Sequence, residues 1–458
     1  MPSSSSIDNT TERPDRPIAS LLTPPGLSAI ATIGLKGERA PEVLKEIFSP
    51  AGRHSGKGPK TAPSEIFPLQ KIVYGSWRGP NETDPQVAQE DIIVTQLESG
   101  HFELHCHGGN YAPKKLLATL AEIGCQIVPW EEWLTMVSAT TLAQEVTFAL
   151  TKATTLKTAK YLLPLENALI SKINEIGQLL EKTIDRFEKG RGVDDKVTEK
   201  GLCDITTTIN ELLETFSFGF HLVNRWRVGI AGWPNVGKSS LLNTILGFDR
   251  TIVHESAGTT RDLVTATSVI NGWPIEFVDT AGIRTLSPTL PQKQSQESLE
   301  AEGISLAQTF FEKADLLVRV FDATLGAEKL APFLNEFREG LLVFNKIDLL
   351  SRSDKEELAR SPLLSDRSLE NVPIWMSAQT GEGLDYLFKK IESALLPTIW
   401  PVGTPILFTH RQRTIVQEVL SLIGEAASPI EPNTTQPFSQ KEVTAQSLSR
   451  AQDVLAKF

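Results

Sequence analysis

Between Trp226 and about Ile391, short apolar runs alternate with segments in which apolar residues recur at helical spacing. Continuous apolar runs are typical of strands buried on both faces of a sheet, and their alternation with helices is typical of parallel sheets. Asn271-Gly272 separates two of the runs and is a strong hairpin signal. The pattern therefore predicts an α/β fold, a doubly wound and mostly parallel sheet with one hairpin. The runs interpreted as strands are "WRVGIAG" (226–232), 263–270, 274–279, "ADLLVRVFDAT" (314–324), "GLLVFNKIDLL" (340–350) and "VPIWMSA" (372–378).

On both sides of this region the pattern becomes helical. Glycine and proline are sparse from about residue 131 to 222, and "LENALISKINEIGQLLEKTIDRF" (165–187) carries apolar residues at helical spacing. Residues beyond Pro401 return to that spacing, and "KEVTAQSLSRAQDVLAKF" is a last predicted helix. Since the two ends of a domain often lie close together, we infer that these helices form one bundle into which the α/β unit is inserted.

The first part of the chain shows the alternation of strands. Residues 18–35 give two apolar runs around a Pro-Pro-Gly break, and "HFELHCHGGN" (101–110) alternates before it meets a predicted helix. These features predict a small α+β domain. The predicted organisation is a disordered polar tail at 1–17, the α+β domain at 18–128, a helical domain at 129–225 plus 400–458, and the inserted α/β domain at 226–399.

The composition excludes several classes of protein. The 458 residues are enough for several domains, and the formal charge of −11 argues against a surface that is basic overall. An RNA partner would therefore have to meet a local patch such as "HRQR" (410–413). Three cysteines build neither a disulfide framework nor a tetrahedral metal site. No apolar run approaches a membrane span and the N-terminus lacks signal-peptide features, so we expect a cytoplasmic protein with no membrane partner.

"GWPNVGKS" (232–239) fits the pattern G-x4-G-K-[ST], after a predicted strand and at the start of a helix. Its glycines allow backbone N–H groups to point at phosphate oxygens, Lys238 reaches the β and γ phosphates, and the Ser239 hydroxyl is a Mg²⁺ ligand. A chance glycine-rich turn is the alternative, and the strand–loop–helix context disfavours it. The segment predicts binding of a nucleotide phosphate chain together with magnesium.

"NKID" (345–348) follows a buried strand, at the edge of the sheet where ligands bind. The Asp348 carboxylate can accept hydrogen bonds from N1–H and the 2-amino group of guanine, a pair of donors that adenine lacks. "SAQTG" (377–381), after the next strand, would add a backbone contact to the base. An exposed polar loop is the alternative for "NKID" alone. Four motifs in the correct order, "GWPNVGKS", "DTAG" (279–282), "NKID" and "SAQTG", predict a GTP site.

Two further segments complete that site. In "DTAG" (279–282), Asp279 would hold magnesium through water and the Gly282 amide would sense the γ-phosphate. "SAGTTRD" (256–262) is the expected mobile loop around magnesium, with Thr260 as a ligand, although taken alone it is equally well an ordinary loop. The predicted nucleotide-binding residues are Gly232, Asn235, Val236, Gly237, Lys238, Ser239, Ser240, Thr259, Thr260, Asp279, Thr280, Ala281, Gly282, Asn345, Lys346, Asp348, Ser377, Ala378 and Gln379, with Lys238 also a catalytic candidate.

Taken together, "GWPNVGKSSLLN", "SAGTTRD", "DTAGIR", "NKID" and "SAQTGEGL" resemble the tRNA-modifying GTPase family known as MnmE or TrmE. "IASLLTPPGLSAIATIGLKG" and "HCHGG" are similar to that family's N-terminal folate-binding domain, and "LFTHRQRTIVQEVL" and "SLSRAQDVLAKF" to its C-terminal helices. The resemblance implies a homodimer that hydrolyses GTP. It also implies modification of the wobble uridine of tRNA with a flavoprotein partner and a tetrahydrofolate derivative.

The resemblance further implies a potassium site. The family's counterpart of Asn235 binds K⁺ beside the phosphates, and backbone groups of the following loop, here His254, Ser256 and Thr259, complete the site. The cation neutralises charge that develops in the transition state, as an arginine does elsewhere. From the sequence alone, a turn-stabilising role for Asn235 is an equal alternative.

No glutamine follows "DTAG", where Ras-type proteins use one to position water; Ile283 and Arg284 stand there. The family's water-orienting glutamate aligns with Glu300 in this sequence. Glu297 and Glu302 are rivals because the preceding segment is longer here, and a solvated carboxylate on a helix face is the other alternative. Glu300 is thus the second catalytic candidate, by resemblance.

The chain departs from the family in the parts that serve folate and tRNA. It shows no Cys-x-Gly-Lys motif at its end, and "GLKG" (34–37) stands in place of "RISG", so Gly34 replaces a folate-contacting arginine. "VPWEEWLTMV" (128–137) stands where the family has "GEFT-x-RAF". The resemblance over nearly the whole chain nevertheless favours a Mg²⁺- and K⁺-dependent GTPase of the tRNA-modifying type, activated by dimerisation. The alternative is a regulatory GTP switch on the same scaffold that has lost folate and tRNA chemistry.

His105, Cys106 and His107 stand together at the end of a predicted strand. Imidazole and thiolate groups are common zinc ligands, but no fourth ligand lies near them in the sequence. A strand that turns at Gly108-Gly109 is therefore the better account.

Overall fold

A computed structural model of the chain describes residues 16–24, 26, 28–51, 66–79, 90–187, 196–248, 265–279, 314–326, 329, 340–360, 373–427 and 440–458. The chain divides into two compact units, Met1–Gln144 and Glu145–Phe458. Across the described ranges, no helix has the length and apolar character needed to cross a membrane.

The first unit contains a seven-stranded sheet with helices packed against it. Its strands run in the order β3-β4-β5-β6-β2-β1-β7, antiparallel except where β1 meets β7. The strands are β1 (Ile18–Leu21), β2 (Ile30–Lys36), β3 (Phe48–Pro50), β4 (Ile72–Trp77), β5 (Glu90–Glu98), β6 (His101–His107) and β7 (Gln126–Ile127). The helices are α1 (Ala40–Ile47), α2 (Ala112–Glu122) and α3 (Trp130–Val137), and α4 (Thr141–Lys152) leads into the second unit.

Alternation along β6 explains the histidine–cysteine cluster. Cys106 points into the core with Phe102 and Leu104, whereas His105 and His107 lie on the opposite face. There the His105 Nδ1 bonds the Thr32 hydroxyl at 3.0 Å. Within the described ranges, no group of three or more His, Cys, Asp or Glu side chains is placed to hold a metal ion.

The second unit contains a helical layer built from both sides of the α/β region. Two helices precede that region, α6 (Leu165–Arg186) and α7 (Lys196–Glu214). They pack against two helices that follow it, α12 (His410–Ala427) and α13 (Gln440–Leu455). The amphipathic pattern at 165–187 thus buries its apolar stripe, Leu169, Ile176 and Leu180 among it, against neighbouring helices. The helices are α5 (Leu156–Leu162), α6 (Leu165–Arg186), α7 (Lys196–Glu214), α8 (Phe216–Val223), α12 (His410–Ala427) and α13 (Gln440–Leu455).

The α/β region contains a six-stranded sheet in the order β13-β12-β11-β8-β10-β9. All neighbours are parallel except β9 and β10, which form the predicted hairpin. Asn271 and Gly272 both have positive φ, 49° and 85°, as a two-residue type I′ turn requires. The elements are β8 (Trp226–Gly232), α9 (Lys238–Phe248), β9 (Thr265–Ile270), β10 (Trp273–Asp279), β11 (Leu316–Asp322), β12 (Leu341–Asn345), α10 (Arg352–Arg360), β13 (Ile374–Trp375) and α11 (Leu384–Leu395).

The mostly parallel sheet predicted from the apolar runs is confirmed, although several strands are shorter than their runs. β11 ends at Asp322 and β12 at Asn345, and each is followed by a single 3-10 turn. Within "VPIWMSA" only Ile374–Trp375 is strand. These apolar runs continue past the strands because the first residues of the loops are themselves buried, as Ala323, Ile347 and Met376 show.

Within the "HRQR" segment, Arg411 and Gln412 are engaged by other groups of the second unit. The Arg411 guanidinium pairs with Glu145, with Nε 2.7 Å from Oε1, and also donates to the carbonyl oxygen of Phe458. Gln412 is fully buried, and Arg413 lies over the Phe216 ring. The segment begins α12, where Arg411 and Gln412 are held in the helical layer and His410 and Arg413 are exposed.

Candidate functional site

Five parallel strands of the α/β sheet end at the same edge, because parallel neighbours share their direction. β8 ends in the 232–239 loop, β10 at the start of "DTAG", and β12 at the start of "NKID". β13 is followed by the 377–381 loop, and β11 ends between β8 and β12. The sheet therefore brings the sequence-predicted motifs to one edge of the second unit.

The 232–239 loop needs glycine at two of its positions. Gly232 has φ of 150°, and a Cβ there would lie 2.3 Å from the carbonyl oxygen of Val320. Gly237 has φ of 95°, and its Cβ would lie 2.3 Å from Nδ2 of Asn345. Both values lie in the region that side chains rarely adopt, so each glycine permits both a turn and a close approach.

Lys238 follows the glycines of the loop, and its buried side chain folds back onto the loop backbone. Its ammonium nitrogen donates to the carbonyl oxygens of Gly232 at 2.9 Å and Trp233 at 2.8 Å. Lys238 and Ser239 are also the first residues of α9, and the N–H groups and macrodipole at a helix N-terminus favour an anion. The exposed Ser239 and Ser240 side chains lie in the same turn.

Asn345 joins the two main loops of the site. Its Nδ2 donates to the Val236 carbonyl oxygen at 2.9 Å, and its Oδ1 accepts from the Ala378 N–H at 2.8 Å. Asn345 is only 2 % exposed, so both of its polar atoms are satisfied inside the protein. The amide therefore positions the phosphate loop and the 377–381 loop relative to each other.

The other predicted base-side residues lie around Asn345. Ser377 is fully buried, and its hydroxyl accepts from the Thr380 N–H at 3.1 Å. The Ala378 carbonyl oxygen accepts from the Thr244 hydroxyl at 2.6 Å, which ties this loop to α9. Asp348, in the 3-10 turn after β12, and Gln379 have exposed side chains at the same edge.

Lys346 reaches across the sheet edge from "NKID" to the phosphate loop. Its ammonium nitrogen lies 2.6 Å from the Asn235 carbonyl oxygen and 2.6 Å from Oδ2 of Asp322. Its own backbone is left-handed, with φ of 68°. Lys346 therefore contacts the protein at two points beyond its own motif.

Asp322 is a member of this network that the sequence motifs did not indicate. Burial alone would raise the pKa of its carboxyl, but hydrogen bonds from Lys346 and Thr324 hold that pKa below its usual value. Asp322 is therefore a carboxylate near neutral pH. The available signal was positional, because Asp322 ends a buried strand and pairs in register with Asn345.

Asn235 has a left-handed backbone, with φ of 64°, and an exposed side chain. Asparagine tolerates this conformation better than most residues, which agrees with the turn-stabilising interpretation. The backbone of Asp279 pairs with Ile230 on β8. The other predicted site residues lie outside the described residues: His254, Ser256, Thr259, Thr260, Thr280, Ala281, Gly282, Glu297, Glu300 and Glu302.

The phosphate loop between a parallel strand and a helix, with "NKID" at the neighbouring sheet edge, defines a P-loop GTPase. The family model described as "50S ribosome-binding GTPase" matches residues 227–346. A "tRNA modification GTPase MnmE" of Clostridioides difficile is 30% identical over 408 residues, 83% of this chain and 82% of that protein. The protein of the same name from Moorella thermoacetica is 28% identical over 440 residues, 90% and 89% of the two chains. The chain belongs to the MnmE family and is a GTP hydrolase.

Among solved structures, the G domain of the T. maritima FeoB iron transporter is 24% identical over 37% of this chain and 99% of that one. The TM-score of the two structures is 0.24.

Proposed function

We propose that the chain is a Mg²⁺- and K⁺-dependent GTPase, activated by dimerisation, that acts in modification of the wobble uridine of tRNA. The observation that carries the GTP part is the double contact of Asn345 with Val236 and Ala378, which fixes the phosphate loop beside the base-recognition loops. Similarity over most of the length of relatives named as tRNA modification GTPases supports the tRNA part.

In this proposal the loop N–H groups and Lys238 hold the phosphates, and the Asp348 carboxylate accepts from N1–H and the 2-amino group of guanine. The Ala378 N–H already donates to Asn345, so the second base contact falls to the N–H of Gln379. The base and the phosphates are then held by neighbouring loops. Asn345 links the phosphate loop to the 377–381 loop, and Lys346 links it to "NKID".

The cations of this proposal suit the oxygen donors that the chain offers. Ser239, in the first turn of α9, presents a hydroxyl of the kind that Mg²⁺ takes, with Thr260 as its proposed companion. For K⁺, the side-chain carbonyl oxygen of Asn235 is the proposed ligand that lies within the described residues. His254, Ser256 and Thr259 are the other proposed K⁺ ligands. When bound, K⁺ supplies positive charge next to the phosphates. Glu300 is the proposed water-orienting residue.

The tRNA part is tested by nucleoside mass spectrometry. The chain is expressed in cells whose own relative has been deleted, and the wobble uridines of their tRNA are analysed. Restored modification with the wild-type chain, and none with Asp348→Ala, is the expected result. GTP hydrolysis without any modified uridine would exclude a role in tRNA modification and would favour the regulatory GTP switch.

A regulatory GTP switch without folate chemistry is the second candidate, and one contact in the first unit favours it. A Cβ added to Gly34 would lie 2.4 Å from Cζ2 of Trp133, so the indole occupies the space that a side chain at position 34 needs. Trp133 is 4% exposed and also meets the His101 ring edge-on. The residues here therefore do not fit the arginine contact with folate that the family implies.

Calorimetric titration with 5-formyl-tetrahydrofolate separates the two candidates. Binding to the full chain would support the tRNA-modifying enzyme despite Gly34. Absence of binding, with GTP turnover intact, would support the switch.

A further inference from the structure

Asp322 and Lys346 meet at the ends of two adjacent parallel strands. Asp322 is the last residue of β11 and pairs in register with Asn345, the last residue of β12. Lys346 follows directly, and its ammonium nitrogen lies 2.6 Å from Oδ2 of Asp322. The Asp322 side chain is 15% exposed and that of Lys346 30%, so the pair is partly shielded from water, which strengthens it relative to a surface pair.

The same ammonium group holds the phosphate loop. It donates to the carbonyl oxygen of Asn235 at 2.6 Å, at the residue where the loop backbone turns left-handed. A lysine side chain has several rotatable bonds, and fixing it on one carbonyl costs rotamer entropy. The Asp322 carboxylate, 2.6 Å from the same nitrogen, restricts the same bonds and offsets part of that cost.

We propose that Asp322 is a positioning residue for the phosphate loop: it orients Lys346, which fixes the Asn235 carbonyl and thereby the loop N–H groups that hold nucleotide. The inference rests on the proposed GTP site and adds to it a residue from β11, outside the sequence motifs. Asp322 acts through Lys346 and itself touches no nucleotide.

The main competing role for Asp322 is a local cap. Its Oδ1 accepts from the Thr324 N–H at 3.0 Å and from the Thr324 hydroxyl at 2.7 Å, at the start of a 3-10 turn. The two carboxylate oxygens thus have separate partners. Asp322→Asn can keep the oxygen for Thr324 while it presents to Lys346 an NH2 group, which donates and cannot accept. This substitution removes the contact of Asp322 with Lys346 and leaves its contacts with Thr324.

The test is the release rate of a fluorescently labelled GDP from the full chain. Asp322→Asn is expected to speed release about tenfold, the size of one lost charge-assisted hydrogen bond. Lys346→Met is expected to act similarly, and the double variant to release no faster than the faster single variant, since both remove one interaction. Thr324→Val, which removes only one contact of the cap, and Glu356→Gln, an exposed change on α10, are expected to keep the wild-type rate.

Two results would overturn the proposal. One is wild-type release from Asp322→Asn while Lys346→Met is fast; the other is equal acceleration by Thr324→Val and Asp322→Asn, which would assign the effect to the cap. If Asp322→Asn does not fold, wild-type release from Lys346→Met overturns it equally. Failure of the wild-type chain to bind labelled GDP would instead overturn the GTP site itself, so the two failures are distinguishable.

Discussion

Asn345 and Val236 belong to different motifs, yet the Nδ2 of Asn345 lies 2.9 Å from the carbonyl oxygen of Val236. The other side of the same amide accepts from Ala378. One buried side chain therefore couples the loop proposed to hold phosphate to the loop proposed to contact the base. A conformational change in either loop should therefore alter the other.

Removal of that side chain is the first test of this coupling. Asn345→Ala leaves the Val236 carbonyl and the Ala378 N–H without their partner in a buried site, at a cost of about 1–3 kcal/mol for each group. We expect affinity for labelled GDP, measured by titration, to fall at least about tenfold. Asn243→Ala, an exposed change on α9, is the matched control. Wild-type affinity in Asn345→Ala would show that the loops do not depend on this contact.

Asp348 is expected to determine which base is accepted. Asp348→Asn replaces one acceptor oxygen by a donor, so the 2-amino group of guanine loses its partner while the C2 carbonyl of xanthine gains one. GTP affinity is expected to fall by about a hundredfold or more, and affinity for xanthosine triphosphate to rise. Competition binding with both nucleotides measures this. An unchanged preference for GTP would remove Asp348 from base recognition.

Gly237, in the phosphate loop, and Gly247, at the far end of α9, should respond oppositely to alanine. At Gly237 a Cβ would lie 2.3 Å from the Asn345 amide nitrogen at φ of 95°, so Gly237→Ala should abolish nucleotide binding. No atom of the described residues lies within 4 Å of a Cβ added to Gly247, in the last turn of α9. Gly247→Ala should stabilise the protein by about 0.5–1 kcal/mol through helix propensity, as thermal unfolding would show. Nucleotide binding by Gly237→Ala would contradict the observed loop geometry.

The three thiols should differ in reactivity. Burial raises the pKa of Cys106 and of Cys125 to about 11, whereas Cys203 is exposed. A raised pKa keeps a thiol protonated below that value, and the thiolate is the reactive form. At pH 8 a thiol reagent should therefore label Cys203 in the native protein, and all three cysteines after unfolding. Rapid labelling of Cys106 in native protein would mean that β6 does not face the core.

The sequence predicted the sheet and the motif positions because both depend on local patterns. Apolar runs report burial, and the ends of parallel strands necessarily share one edge. Asp322 was not predicted because its signal is its register opposite Asn345, which only strand pairing reveals. The contact of Trp133 with Gly34 and the pairing of Arg411 with Glu145 were missed for the same reason, since each joins distant segments.

Comparison of GTP turnover in potassium and in sodium salts tests whether this GTPase uses a monovalent cation held by Asn235. Sodium is too small for such a site, so the wild-type chain should hydrolyse GTP faster in K⁺ than in Na⁺ at equal ionic strength. Asn235→Ala should remove the difference while GDP affinity stays largely unchanged. Equal wild-type rates in the two salts would contradict the account and leave Asn235 a turn residue.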